Sequence, residues 1–329
     1  MISAFILLII FALLIYFSSE YFVNGIEWVG HHLKISQNAT GTILAAFGTA
    51  LPESIVTFVA VAFGDSPDDK NIGIGAAIGG PLVLSTIGYS VVGIVFLLAQ
   101  YSSATPLISK TTELRLGYNQ MWFMWIFAFK IALGLIAISF KPFLGTFFVI
   151  AYLIYIKQEM QGTDDPEHYE FKEPLRFSPD GKHHKLMTYL QTSLALIVVF
   201  LSSKLFVHQI EFLSPKLGMP GQLVALLFSP IATELPEIMN AIIWVRQGKQ
   251  NLALANVSGS MMIQATLPSA LGMFYTPWLL DNTSIWAALI TMISIIGLYG
   301  LLRKSQLTAN KLASFGLWYI VFGIGLYFI

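Results

Sequence analysis

Cysteine is absent from the 329 residues, which excludes disulfides, thiolate metal ligands and cysteine nucleophiles together. Charge is almost as scarce: Asp, Glu, Lys and Arg make up 11% of the chain, where soluble domains carry about 25%. So sparse a set cannot cover a water-facing surface. The signs balance as well, 18 basic against 18 acidic, so composition gives no support to a nucleic-acid partner. No His-Glu-x-x-His, paired-aspartate motif or Ser–His arrangement falls within the apolar stretches, and an intramembrane enzyme is disfavoured accordingly. The EF-hand pattern is missing too. The first apolar stretch has neither a basic leader nor an Ala-x-Ala cleavage site, so it reads as a retained helix and not as a signal peptide.

What remains is hydrophobic, 56% of the chain. Apolar runs at 2–17, 121–140, 142–156, 190–206 and 285–302 are long enough, or nearly so, to cross a hydrocarbon core. Taken between polar breaks, the chain holds ten spans, at 2–33, 39–63, 71–100, 117–139, 142–160, 187–212, 221–246, 250–275, 284–303 and 311–328. The expected fold is an all-α polytopic membrane protein of ten transmembrane helices. A hydrophilic loop, 161–186, separates five spans in 1–160 from five in 187–329. Thirteen of the 18 basic residues fall on one set of alternate loops and three, Lys70, Lys141 and Lys216, on the other. Because Lys and Arg accumulate on the cytoplasmic side, both termini are expected outside and the long loop inside.

The halves repeat. Ser18-Ser19-Glu20-Tyr21-Phe22-Val23 reads against Ser202-Ser203-Lys204-Leu205-Phe206-Val207, and Thr49-Ala50-Leu51-Pro52-Glu53 against Thr233-Glu234-Leu235-Pro236-Glu237, both at a spacing of 184. Gly79 and Gly259 continue the match at 180. With an odd number of spans per half, the second copy enters the membrane from the opposite side. Inverted repeats of this kind characterise secondary transporters, whose site lies at the repeat interface near the midplane.

Glu53 and Glu237 sit within spans, where an ionised carboxylate costs about 2.5–3.5 kcal/mol on insertion scales. Each follows a proline, which withholds an amide donor and frees a carbonyl of the preceding turn. A threonine stands four residues earlier in each copy, Thr49 and Thr233. Hydroxyl, carbonyl and carboxylate are hard oxygen donors, suited to Na⁺ or Ca²⁺ and poorly suited to soft metals. A proline kink with a snorkelling or protonated glutamate is the bland alternative. The next span of each half opens with small residues, Gly73-Ile74-Gly75-Ala76-Ala77-Ile78-Gly79-Gly80 and Ala255-Asn256-Val257-Ser258-Gly259-Ser260. Close helix packing explains the glycines. Asn256, Ser260 and Gln264 either line the site or bond to neighbouring helices.

Ala46-Phe47-Gly48-Thr49-Ala50-Leu51-Pro52-Glu53 resembles the first alpha-repeat of the sodium/calcium exchanger family of cation/calcium antiporters, and Pro230-Ile231-Ala232-Thr233-Glu234-Leu235-Pro236-Glu237 resembles the second. The resemblance, to the prokaryotic minimal ten-helix type, covers nearly the whole chain. It implies an antiporter of the inner (plasma) membrane that exchanges a divalent cation, Ca²⁺ foremost, for Na⁺ or H⁺ by alternating access, with no bound cofactor. It implies that Glu53, Glu237, Thr49 and Thr233 bind the metal, with carbonyls near Ala46 and Pro230 and the Ser260 hydroxyl assisting, and that the first and sixth helices are long and slide. Departures accompany it. The family's usual Asn, Ser and Asn are Ala76, Gly80 and Leu84 here, its Asp or Asn is Gln264, and its serines are Ala50 and Glu234. One half has lost polar groups and the other has gained a carboxylate.

Residues three apart on a helix lie about 60° from each other, so Glu234 is expected to share a cavity with Glu237 and Glu53, or else to face the aqueous vestibule. Like charges held close in a low dielectric do not all stay ionised, so a proton is expected in the metal-free site. The alternatives are a proton-coupled exchanger of another cation or, from the eroded first repeat, a channel-like or transport-inactive homologue. Other charged residues read as structural. Glu20 and Lys204 occupy equivalent places, where an internal pair and separate snorkelling are both open. Asp65, Asp68 and Asp69 read as a solvated loop, His31, His32, His183 and His184 as edge residues, and Lys130 as an isolated intraspan lysine.

Overall fold

The computed structural model describes residues 2–32, 46–99, 107–161, 174–178 and 185–329, without the side chains of 27, 30, 31, 46–49 and 159–161. Every regular element among them is a helix. α1 (Ile2–His32), α2 (Ala46–Phe63), α3 (Pro67–Val83), a π turn at Leu84–Gly88, α4 (Tyr89–Leu98), α5 (Lys110–Gly134) and α6 (Lys141–Gln161) precede the long loop. α7 (Lys185–Leu217), α8 (Gly221–Thr233), α9 (Leu235–Arg246), α10 (Gln250–Tyr275), α11 (Asn282–Arg303), α12 (Ala309–Ala313) and α13 (Gly316–Gly325) follow it. Each of the ten expected spans meets a helix or a broken pair. Among the described residues, four stretches are long and apolar enough to cross a membrane, Ile2–Ile26, Pro67–Leu98, Lys185–Leu217 and Asn282–Arg303, and the α8–α9 pair, bent by 41°, makes a fifth. α10 falls outside that set because Asn256, Ser258, Ser260, Gln264 and Thr266 interrupt its apolar run, yet nearly the whole helix is buried by its neighbours. A helix screened from lipid by other helices has no need of an apolar surface.

The polarity of the molecule is inverted relative to a water-soluble one. Isoleucine, leucine and phenylalanine are exposed along α1, α6, α7 and α11, while Glu53, Lys130, Glu234, Glu237, Asn119, Gln120 and Gln264 are buried. Two apolar clusters organise the interior. One joins α1, α2, α7 and α8 with the buried side of α3. The other is larger and joins α3–α6 with α8–α13.

α1 and α7, of 31 and 33 residues, pack side by side. The repeated serine pairs Ser18-Ser19 and Ser202-Ser203 are buried on them, and Gly25 lies so close to Thr192 that a Cβ would stand 2.5 Å from its hydroxyl. Small side chains permit that approach. The segment 174–178 clamps the same pair. Asn24 donates to the Pro174 carbonyl and accepts from Arg176 N–H, while Gln191 accepts from Phe177 N–H and donates to the Tyr21 carbonyl. Glu20 meets Arg176 at 3.0 Å, and Lys204 is exposed. The internal Glu20–Lys204 pair is therefore not formed, because the loop arginine Arg176 reaches Glu20 instead. Asp69 accepts from Ser66 N–H and Ser66 Oγ accepts from Asp69 N–H, a capping box that starts α3 four residues before the expected span.

Helix pairing recurs in exchanged order. α2 packs against α10 and α8 against α3; α6 packs against α10 and α12 against α4; α5 meets α11. Across the second contact, Gly75 and Gly79 lie over the Gln222 and Leu226 carbonyls, and a Cβ at Gly79 would stand 2.5 Å from the latter. Pro230 supplies no amide hydrogen to Leu226, so the chain there is held by close packing instead of a helical bond.

Candidate functional site

The two Leu-Pro-Glu motifs fold differently. α2 continues through Pro52, whereas the second copy breaks: Glu234 caps both α8 and α9, and Pro236 sits in the first turn of α9. A proline is tolerated there because the first helical amides have no partner to lose. The break turns Glu234 into the interior. Glu237 occupies the first turn of α9, where the helix dipole favours an acidic side chain.

Glu53 and Glu234 are brought together across α2 and α8 by one hydroxyl. Thr233 Oγ1 lies 2.7 Å from Glu53 Oε2, 3.0 Å from Glu234 Oε1 and 3.2 Å from the Ser229 carbonyl. A threonine hydroxyl has one proton to donate. With both carboxyls ionised, two of the three contacts go unmade. A proton on one carboxyl lets that group donate to Thr233 while Thr233 donates to the other. On the far side, Gln264 Nε2 donates to Glu234 Oε2 at 2.7 Å. Glu53, Thr233, Glu234 and Gln264 thus form a continuous chain with no exposed member.

Gly80 is the floor of this chain. A Cβ added there would stand 3.0 Å from both Glu234 Oε1 and Gln264 Oε1. The carboxylate of Glu234 and the absent side chain at Gly80, two separate departures in sequence, are therefore one packing event. The vestibule orientation of Glu234 does not occur.

Several buried oxygens on the helices that carry this chain have no hydrogen-bond partner among the described residues: Glu53 Oε1, Thr57 Oγ1, Ser229 Oγ, Ser260 Oγ and Gln264 Oε1. Unpaired acceptors in the interior are costly, and all of these are hard donors of the kind that bind Na⁺ or Ca²⁺. Thr57 and Ser229 are absent from the sequence reading. Thr57 was findable, one turn beyond Glu53 on the same face; Ser229, one turn before Thr233, was findable likewise. Glu237 is fully buried, yet among the described residues no three His, Asp or Glu side chains stand close enough to hold a metal by themselves. Glu53 and Glu234 share the Thr233 hydroxyl, and Glu237 is buried in the first turn of α9. The Pro230 carbonyl accepts Glu234 N–H at 2.9 Å, leaving it one further lone pair. Ala46 and Thr49 lie in α2, with their side chains outside the described residues.

Fold and site together define an all-helical integral membrane protein with a buried oxygen-donor site. The family model described as "Sodium/calcium exchanger protein" matches residues 3–157 and 188–329, and the chain belongs to that family of membrane cation/calcium exchangers; it is a transporter homologue and not an enzyme. The putative antiporter CaxA of Alkalimonas amylolytica is 25% identical over 281 residues, 85% of this chain and 83% of that one. The inner membrane protein YrbG of Escherichia coli is 24% identical, covering 85% of this chain and 82% of its own. The crystal structure of the H⁺/Ca²⁺ exchanger CAX superposes with a TM-score of 0.78 at 18% identity, over 99% of this chain and 82% of that one. At that identity the likeness concerns the fold.

Proposed function

We propose that the protein is a secondary active antiporter that exchanges a divalent cation, Ca²⁺ foremost, for Na⁺ or H⁺ at a site shared by its two halves. The observation that carries this is the chain Glu53–Thr233–Glu234–Gln264, fully buried and assembled from both Leu-Pro-Glu motifs. Thr49, Glu237, Ser260 and the carbonyls near Ala46 and Pro230 complete the ligand set in this reading, and α1 and α7 are the sliding pair. The exchanged order of helix pairing supports ten transmembrane helices in two inverted five-helix repeats, 1–160 and 187–329, around a cytoplasmic loop at 161–186. The basic residues support both termini outside, and the description of YrbG supports an inner membrane. Single cysteines at Asp68 and Lys172 are then labelled from opposite sides by an impermeant maleimide; labelling from one side rejects the topology.

Among counter-ions, the lone Thr233 hydroxyl between two carboxyls favours H⁺, because it can donate to only one of them and a proton on the other completes the second contact. Proteoliposomes loaded with Ca²⁺ and given either a Na⁺ or a proton gradient test the proposal. Ca²⁺ is expected to move only when a counter-ion is supplied, and the pH dependence is expected to disappear in Glu234→Ser. Flux without any counter-ion rejects antiport in favour of a channel. Flux that follows Na⁺ alone, unchanged by pH and by the substitution, rejects proton coupling.

A further inference from the structure

Lys130 is fully buried on α5. It lies four residues from the helix end at Gly134, near enough for a free lysine to extend its stem toward the membrane surface. Instead the ammonium turns inward and donates to the Ala77 carbonyl at 2.9 Å, its one hydrogen bond among the described residues. The Phe127 and Trp278 rings lie 5.0 and 5.8 Å away, within the reach at which an aromatic face attracts a cation. The Trp278 indole in turn donates to the Lys130 carbonyl, which fixes the backbone from which the side chain extends.

Ala77 has a free carbonyl for a specific reason. Its helical donor would be the amide of Pro81, and Pro81, inside α3, has none. A freed carbonyl beside a cation site is a ready-made ligand for a monovalent ion. This one lies one residue beyond Ala76 and three before Gly80, on the wall of the site that carries no polar side chain. A tethered ammonium already occupies it. No other buried cation is present in that interior among the described residues, since Lys141 is bound at the start of α6 to the Pro277 and Trp278 carbonyls. α11, which packs against α5 and follows the same order in the second half, has no charged residue before Arg303.

We propose that Lys130 is a resident counter-cation of the exchange site, standing where a monovalent ion would bind and thereby fixing how many ions move per cycle. The proposal rests on the antiporter reading above. Glu53, Glu234 and Glu237 bring three negative charges into the interior and Lys130 returns one positive, so two remain. In a low dielectric these charges act on one another beyond ligand distance. One divalent cation neutralises the remainder, as do two monovalent cations or protons. Exchange is then electroneutral, two monovalent charges for one divalent ion. Without the lysine the interior carries three negative charges and draws a third monovalent ion into the cycle.

The test uses the full-length native protein, Lys130→Gln and Lys130→Arg in proteoliposomes, with the steady-state Ca²⁺ gradient measured at 0 mV and at 100 mV set by valinomycin. Glutamine keeps a donor for the Ala77 carbonyl and removes the charge; arginine keeps the charge. One net charge per cycle shifts the steady-state gradient about 50-fold at 100 mV. The native protein and Lys130→Arg are expected to show no shift, and Lys130→Gln to show the full shift. A purely structural lysine changes rate or yield and leaves the stoichiometry alone. If Lys130→Gln matches the native voltage independence, the counter-cation is wrong while the antiporter stands. Should Lys130→Gln fail to fold, Lys130→Met, which keeps the apolar stem and removes the charge, takes its place in the same measurement, and a voltage-dependent gradient in the native protein overturns the proposal in either case. No Ca²⁺ flux in native liposomes overturns the antiporter reading and the counter-cation with it.

Discussion

α3 and α10 carry corresponding small-residue motifs and flank the same buried site, yet they present opposite chemistries. α10 offers Asn256, Ser260 and Gln264, and Gln264 holds Glu234 directly. α3 offers Ala76, Gly79 and Gly80, with only a backbone carbonyl at Ala77, and that carbonyl is taken by Lys130. The two walls are complementary in volume as well, because the bare Gly80 surface is where the Glu234 carboxylate lies. Polar groups missing from one half have been exchanged for a carboxylate from the other half and an ammonium from a third helix. A site of this kind keeps its donor chemistry while redistributing it among elements.

The largest expected effect comes from removing charge. Glu53→Gln or Glu237→Gln preserves size and removes what offsets a dehydrated cation, so Ca²⁺ flux in proteoliposomes falls to background while the purified protein remains monodisperse. Equal loss in both places the two halves on the same footing; near-normal flux in either puts the site elsewhere. An intermediate effect tests the volume exchange. Gly80→Ser alone sets the new Cβ about 3.0 Å from the Glu234 and Gln264 side-chain ends, which must shift to make room, and is expected to lower the melting temperature slightly. Gly80→Ser combined with Glu234→Ser recovers part of that loss, because residues in contact couple by about 0.5–3 kcal/mol. Simple additivity breaks the link between the walls. A single-contact test is Gln264→Leu, which leaves Glu234 Oε2 without its amide donor and lowers stability by about 1–3 kcal/mol. No change in melting temperature separates Gln264 from the site.

Much of this is legible in the sequence. Apolar runs between polar breaks marked ten spans, and each meets a helix or a broken pair, since a chain in lipid has to satisfy its backbone locally. The spacing of 184 between Thr49-Ala50-Leu51-Pro52-Glu53 and Thr233-Glu234-Leu235-Pro236-Glu237 singled out the carboxylates without reference to their surroundings. Other features were hidden because they join residues far apart in the chain. Glu20 takes its partner from the loop, 156 positions away, and not from its repeat equivalent Lys204. Thr57 and Ser229 carry no motif of their own and matter only because the neighbouring helices bury them.

Local covalent chemistry is what the sequence by itself determined: which segments are apolar enough to be helices in lipid, where prolines withhold an amide, and which spans carry a carboxylate. Those properties depend on a residue and its neighbours within a few turns. The tertiary structure alone decided which freed group meets which side chain. Pro81 leaves the Ala77 carbonyl open by its own covalent structure, but nothing in the chain around it says that Lys130, 53 residues later, will close it. Likewise Gly80 and Glu234 are separate substitutions until the packing of α3 against α8 puts one in the space of the other. Contacts between helices depend on relative position in three dimensions, and a single chain records position only along one.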